Sequence, residues 1–137
     1  MKIGVTGTRN GMTLEQKNLV KEVLSGLPAN SELHHGDCVG VDAEVAEIAR
    51  ELGFRVISHP PEKDELRAFH KSDEFREPYN YLRRDRNIVD ETEMLLVVPM
   101  HTEWQPKGGT WYTHDYAKKK NKPLEIIWPG NKNGSND

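Results

Sequence analysis

Cysteine is almost absent from this chain. Cys38 is the one thiol in 137 residues, so no disulfide can form within the chain and a disulfide-stapled extracellular scaffold is excluded. Long apolar runs are missing too. The most apolar stretch, Met94-Leu95-Leu96-Val97-Val98, falls far short of the ~20 residues a bilayer-spanning helix requires. Met1-Lys2-Ile3 enters strand-like sequence directly, without the pattern of a signal peptide. These absences lead us to expect a cytoplasmic protein that meets no membrane. An excess of positive charge is also lacking: the net charge is -3, which argues against coating nucleic acid by bulk electrostatics. A local basic pocket for a phosphate stays compatible with it. No internal repeat occurs, and no CxxC or HxxxH pair.

What is there is a globular composition, 35% hydrophobic and 30% charged, in a length suited to one domain with one core. Residues 2–6 read as a first strand. Thr13 and Gln16 have capping-box spacing, and Leu19, Val20, Val23, Leu24 and Leu27 fall on one face of a helix over about 14–27. Residues 31–35 form a second strand. Asp42 is placed to cap a second helix with inner face Val45, Ala46, Ala49 and Leu52, ended by Gly53. Residues 54–58 are a third strand. The segment 59–79 is irregular, with room for a short helix near 63–70. Asn80 opens a third helix to about Glu91, and 93–98 is the most apolar strand, hence central. Gly109-Thr110 starts a fourth helix to Lys120, and 124–128 is a last strand.

Strand and helix therefore alternate, which calls for an α/β fold with helices on both faces of a mainly parallel sheet. Right-handed crossovers make it a doubly wound, Rossmann-like domain over 1–129, with a flexible tail over 130–137. The expected sheet has five strands in order 3-2-1-4-5.

Ligands of such sheets bind outside the carboxyl ends of the strands, near the switch in strand order. Three glycine-bearing loops leave that edge: Gly7-Thr8-Arg9-Asn10-Gly11, Gly36 through Gly40 to Asp42, and Lys107-Gly108-Gly109-Thr110. Two lead directly into helix N-termini, where backbone N–H groups and the helix dipole favour an anion. An anion beside Gly108, Gly109 and Thr110, with Lys107 in reach, is the physical expectation. Arg83, Arg84, Arg86 and Asn87 crowd the third helix. Two readings stand for them: a solvated face with an Arg86–Asp90 pair, or an arginine turned into the cleft to fork onto phosphate.

The stretch His34-His35-Gly36-Asp37-Cys38 could suggest zinc, but neighbouring strand residues point to opposite faces, so His34 and His35 cannot readily share one ion. No metal and no cofactor is expected. Asp37 either accepts from a ligand ribose or closes a turn. Trp104, Trp111 and Tyr112 either stack on a base or cover core, and Tyr79 and Tyr81 border the long loop.

Gly7-Thr8-Arg9 after the first strand, Gly36-Asp37-Cys38-Val39-Gly40-Val41-Asp42 before a helix, Arg86-Asn87 before an apolar strand, and Gly108-Gly109-Thr110 leading to Ala117 form an ordered series. It resembles the SLOG superfamily, which includes the cytokinin-activating phosphoribohydrolases, and within it the small DUF2493-type branch. The resemblance spans the chain except 59–79 and the tail. It implies a nucleotide pocket with the Gly108–Thr110 segment at phosphate, Arg86 and Asn87 lining the site, and a homodimer. The hydrolases resemble a PGGxGTxxE pattern; here Lys107 stands at the proline, Thr113 at the glutamate, and the segment is one residue shorter. The favoured expectation is a module that binds a nucleotide or nucleotide-derived small molecule, as sensor or sequestering protein. The alternative is a nucleoside 5'-phosphate N-glycosidase, with Arg86 on phosphate and Asp37 stabilising an oxocarbenium-like centre. Binding of nucleic acid ranks third.

Overall fold

A computed structural model describes residues 1–130. Most of the expected tail lies outside the described residues. The elements are β1 (Lys2–Gly7), α1 (Leu14–Ser25), β2 (Glu32–His35), α2 (Val41–Glu51), β3 (Arg55–Ser58), β4 (Glu74–Phe75), α3 (Tyr81–Glu91), β5 (Met94–Val98), α4 (Gly109–Lys119) and β6 (Leu124–Ile126). The sheet is wholly parallel, in order β4-β3-β2-β1-β5-β6. It thus has six strands rather than the expected five. The addition is β4, two residues held on the edge of β3 by the amide of Val56 donating to Asp73 Oδ2 and the Arg76 amide donating to the Ser58 carbonyl. Leaving β4 aside, the order of the other five is the one alternation led us to expect.

Strand alternation sorts the core into two layers. Ile3 and Val5 of β1, Leu33 of β2 and Leu96 and Val98 of β5 pack with Val20 and Leu24 of α1 and with Val45, Ile48 and Ala49 of α2. On the opposite face Leu95 and Val97 pack with Ile88 and Val89 of α3 and Ala117 of α4. Thr13 and Gln16 form the capping box, and the buried Gln16 amide also donates to the carbonyls of Pro99 and Ile127, tying α1 to the ends of two chain segments. Leu52 departs from its expected inward place: it is the C-cap of α2 and 38% exposed, ahead of Gly53 in the left-handed region. No helix forms near 63–70. No helix among the described residues is long and apolar enough to cross a membrane.

β1 and β5 are neighbours, yet the chain leaves β1 for α1 on one face and β5 for α4 on the other. Their carboxyl ends are therefore the switch point, and a cleft opens there.

Candidate functional site

A cavity of about 480 Å³ occupies that cleft. Its walls come from the end of β1 and its loop (Val5 to Arg9), the β2–α2 loop (Cys38, Asp42), α3 (Tyr81, Leu82, Arg84, Asp85, Ile88), the residues after β5 (Pro99 to His101) and the turn into α4 (Lys107 to Trp111), with Leu66 over one side. Of the residues singled out from sequence, Gly7, Thr8, Arg9, Gly108, Gly109 and Thr110 meet at this cavity. Gly36, Asp37, Gly40, Arg83, Arg86 and Asn87 do not line it.

The glycines divide into two kinds. A Cβ on Gly7 would come within 2.6 Å of Val41 Cβ, and one on Gly36 within 2.5 Å of Arg84 Nη1. Gly40 has φ +89 and its Cβ would press on the carbonyls of Arg9 and Thr8. These three let loops pack on one another. Gly108, φ +103, has nothing within 4 Å of such a Cβ, and Gly109 has only Asp85 Oδ2 at 3.7 Å. No side chain caps α4, whose N-cap is Gly108. Gly108 to Trp111 line the cavity, so the uncapped start of α4 borders it, the setting in which a helix N-terminus holds an anion. Lys107 and Arg9 stand exposed at the rim.

Asp37 turns inward instead, at φ 56 and fully buried. Its Oδ1 accepts from the His70 amide at 2.9 Å and its Oδ2 from Arg67 Nε at 2.5 Å. With the Val39 amide donating to Leu66 O and the Ala68 amide to Asp37 O, it fastens segment 64–70 across the β2–α2 loop. That fastening places Leu66 over the cavity. Arg86 points away and donates to Tyr112 Oη at 2.8 Å, and Tyr116 donates to Asp90, so the expected Arg86–Asp90 pair does not form. Arg83 lies over the Tyr79 ring at 3.7 Å. Trp104 donates to Asp115 outside the cavity; Trp111 and Tyr81 line it.

The arginine of α3 that lines the cleft is Arg84, buried with Asp85. It donates to Asp85 Oδ1 at 2.7 Å, to the Gly36 carbonyl and, at 3.6 Å, to Cys38 Sγ. Burial opposes its charge, and Asp85, Cys38 and Asp42 more than offset that, so its pKa rises above the usual arginine range. With its N–H groups turned to the protein, Arg84 braces the loop rather than extending to a ligand. Asp85 is held above the usual carboxylate range by burial, in spite of Arg84. Asp42 is not a helix cap; Gly40 holds that place. Asp42 Oδ2 accepts from the amides of Gly36 and Cys38, and burial pushes its carboxyl up to about 6. Burial, with Asp42 beside it, pushes the Cys38 thiol up to about 11. A signal for these residues exists in the sequence: Arg84, Asp85, Ile88 and Val89 have the spacing of one inward helical face.

His34 and His35 point to opposite faces. His34 Nδ1 lies 2.8 Å from His59 Nε2, and its Nε2 lies 3.0 Å from Glu32. His35 sits against Ser72 and accepts from the Asp37 amide. The rings of His34 and His59, with Glu91, are the group among the described residues close enough to hold a metal ion. One Glu91 oxygen is already taken by Arg76, and the two rings are bonded to each other.

No family model matches the chain, and no curated protein matches its sequence. Solved structures do match in shape. A molybdenum cofactor binding protein from the phototrophic bacterium Rippkaea orientalis aligns with TM-score 0.71 at 18% identity, over 94% of this chain and 77% of that one. The molybdenum cofactor carrier protein of Chlamydomonas reinhardtii aligns with TM-score 0.65 at 23% identity, over 91% and 74%. DNA processing protein A from Streptococcus pneumoniae aligns with TM-score 0.65 at 17% identity over 91% of this chain and 49% of that one, so the chain spans about half its length. What the chain shares with all three is their α/β fold.

Proposed function

We propose that this chain is a SLOG-type domain, of the DUF2493 kind, that binds a nucleotide or nucleotide-derived small molecule at the carboxyl edge of its sheet, as a sensor or sequestering module. The observation that carries the reading is the 480 Å³ cavity at the switch point, with an uncapped helix N-terminus and two exposed cations at its rim. The volume falls in the range of small-molecule sites, about 300–1,000 Å³. The phosphate would lie at Gly108–Thr110 with Lys107 and Arg9. Two of the structural neighbours are molybdenum cofactor proteins, which supports a small organic ligand.

The N-glycosidase alternative is weakened by the same geometry, because its two candidates, Asp37 and Arg86, are engaged elsewhere. A homodimer remains part of our reading, measured by sedimentation. Thermal shift against nucleoside monophosphates, cyclic nucleotides and ADP-ribose derivatives tests the function. A ligand at a hundred times its Kd adds about 2.7 kcal/mol, several degrees in Tm for a domain of this size. Absence of any shift across the panel would end the reading. A gel shift with single-stranded DNA at low salt separates it from the role suggested by the name of DNA processing protein A.

A further inference from the structure

Two buried carboxylates line the cavity: Asp85, paired with Arg84 and standing beside Gly109, and Asp42, which is held by backbone amides. Asp42 is 6% exposed and lines the cavity. Two loop amides, of Gly36 at 3.0 Å and Cys38 at 3.3 Å, both donate to its Oδ2 and so fix the plane of the carboxyl. With both loop amides on Oδ2 and Asp42 lining the cavity, Oδ1 is the oxygen left for a guest. The nearby guanidinium of Arg84 balances charge but donates to other groups. The remaining wall is apolar over much of its surface, through Val5, Leu66, Leu82, Ile88, Pro99 and Met100, with Cys38, Arg84 and Asp85 as the polar side chains on the same side as Asp42.

A carboxylate set among apolar walls selects a particular guest. The ligand must carry an N–H or O–H donor on one edge and apolar faces on either side, because a second polar face would meet Leu66, Leu82 or Ile88 unpaired. A sugar has hydroxyls on both faces; a flat heterocycle does not. Among heterocycles, a ring amide N–H makes a charge-assisted bond to a carboxylate. α2 and α4 flank opposite faces of the sheet, so Asp42 and the Gly108–Thr110 turn stand on opposite sides of the cleft. We propose that Asp42 Oδ1 accepts the ring amide N–H of a lactam heterocycle of the guanine type, whose phosphate lies across the cavity at the start of α4. This inference rests on the nucleotide reading above and adds which base chemistry the cavity selects.

Isothermal titration of the full chain with GMP, 1-methyl-GMP and ribose 5-phosphate tests it. GMP is expected to bind about tenfold or more tightly than the other two, since a site built around a hydrogen bond rejects the analogue lacking it. Asp42→Asn can keep its oxygen on the two loop amides while an NH2 replaces Oδ1. It should bring GMP down to the level of ribose 5-phosphate and leave the latter unchanged. Equal binding of GMP and 1-methyl-GMP by the wild-type chain overturns the assignment, whether or not the variant folds, and leaves the nucleotide reading standing. No binding of GMP overturns the assignment as well, and the nucleotide reading is then decided separately by the thermal-shift panel.

Discussion

Gly40 and Gly53 share a positive φ, +89 and +84, but differ in what surrounds them. A Cβ on Gly53 meets nothing within 4 Å, whereas one on Gly40 lies 2.6 Å from the Thr8 carbonyl and presses on that of Arg9. Gly53→Ala should therefore cost only the backbone term, about 1 kcal/mol. Gly40→Ala should add steric strain to it, for roughly 3 kcal/mol in all. Urea unfolding of the two variants measures the difference, and equal losses would show that the loops do not press together as described. Cys38 gives a second test at this scale. Burial, with Asp42 beside it, pushes its thiol up to about 11, so about a hundredfold less thiolate is present at pH 8. Alkylation by iodoacetamide should slow by about that factor relative to the unfolded chain. A rate near that of a free thiol would mean that the β2–α2 loop opens readily.

Among elements, the most consequential is the segment between β3 and α3. In sequence it has no period, and its two-residue strand Glu74–Phe75 is too short to show one. What organises it comes from elsewhere in the chain, through the carboxylate of Asp37. Asp37→Ala leaves Arg67 and the His70 amide without their acceptor. The expected loss is about 2 kcal/mol, less than for a fully buried pair because Arg67 is partly exposed. Hydrogen exchange should speed at the amides of Val39, Ala68 and His70 while β1 and β5 stay protected. Uniform loss of protection instead would place Asp37 in the global core. The starts of α1 and α3, by contrast, are legible. Thr13 with Gln16, and Asn80 with the Arg83 amide, act through neighbours three residues on, which the sequence displays.

For the whole molecule, the buried histidines set the response to acid. Burial holds His35 and His59 down at about 3, and His34 below its usual range. The unfolded chain takes up these protons as pH falls through about 6.5 while the folded protein stays neutral, so stability is lost from pH 6.5 downward to about 3. By pH 5, His35 and His59 each cost about 2 kcal/mol. Asp42 and Asp85, both raised by burial, work the other way: Asp42, with a folded value of about 6 against 3.8, returns stability as pH falls between those limits, about 1 kcal/mol by pH 5, and Asp85 adds to it in the same direction. The histidines prevail. The urea midpoint should drop between pH 7 and pH 5, and an unchanged midpoint would mean that these rings are hydrated or already charged.

The sequence by itself determined the four helices and five of the six strands, the order of those five and the edge on which the loops gather. Those follow from local periodicity, capping and the handedness of crossovers, all written within a few residues of where they act. Only the tertiary structure decided which side chains share the cavity. Asp37 and Arg86 carry the right chemistry but spend it on Arg67, His70 and Tyr112, while Asp42, Arg84 and Asp85 are brought to the cleft by the inward faces of α2 and α3. Whether a polar group serves a ligand or a loop depends on partners distant in sequence, and that competition is settled only when the chain has packed.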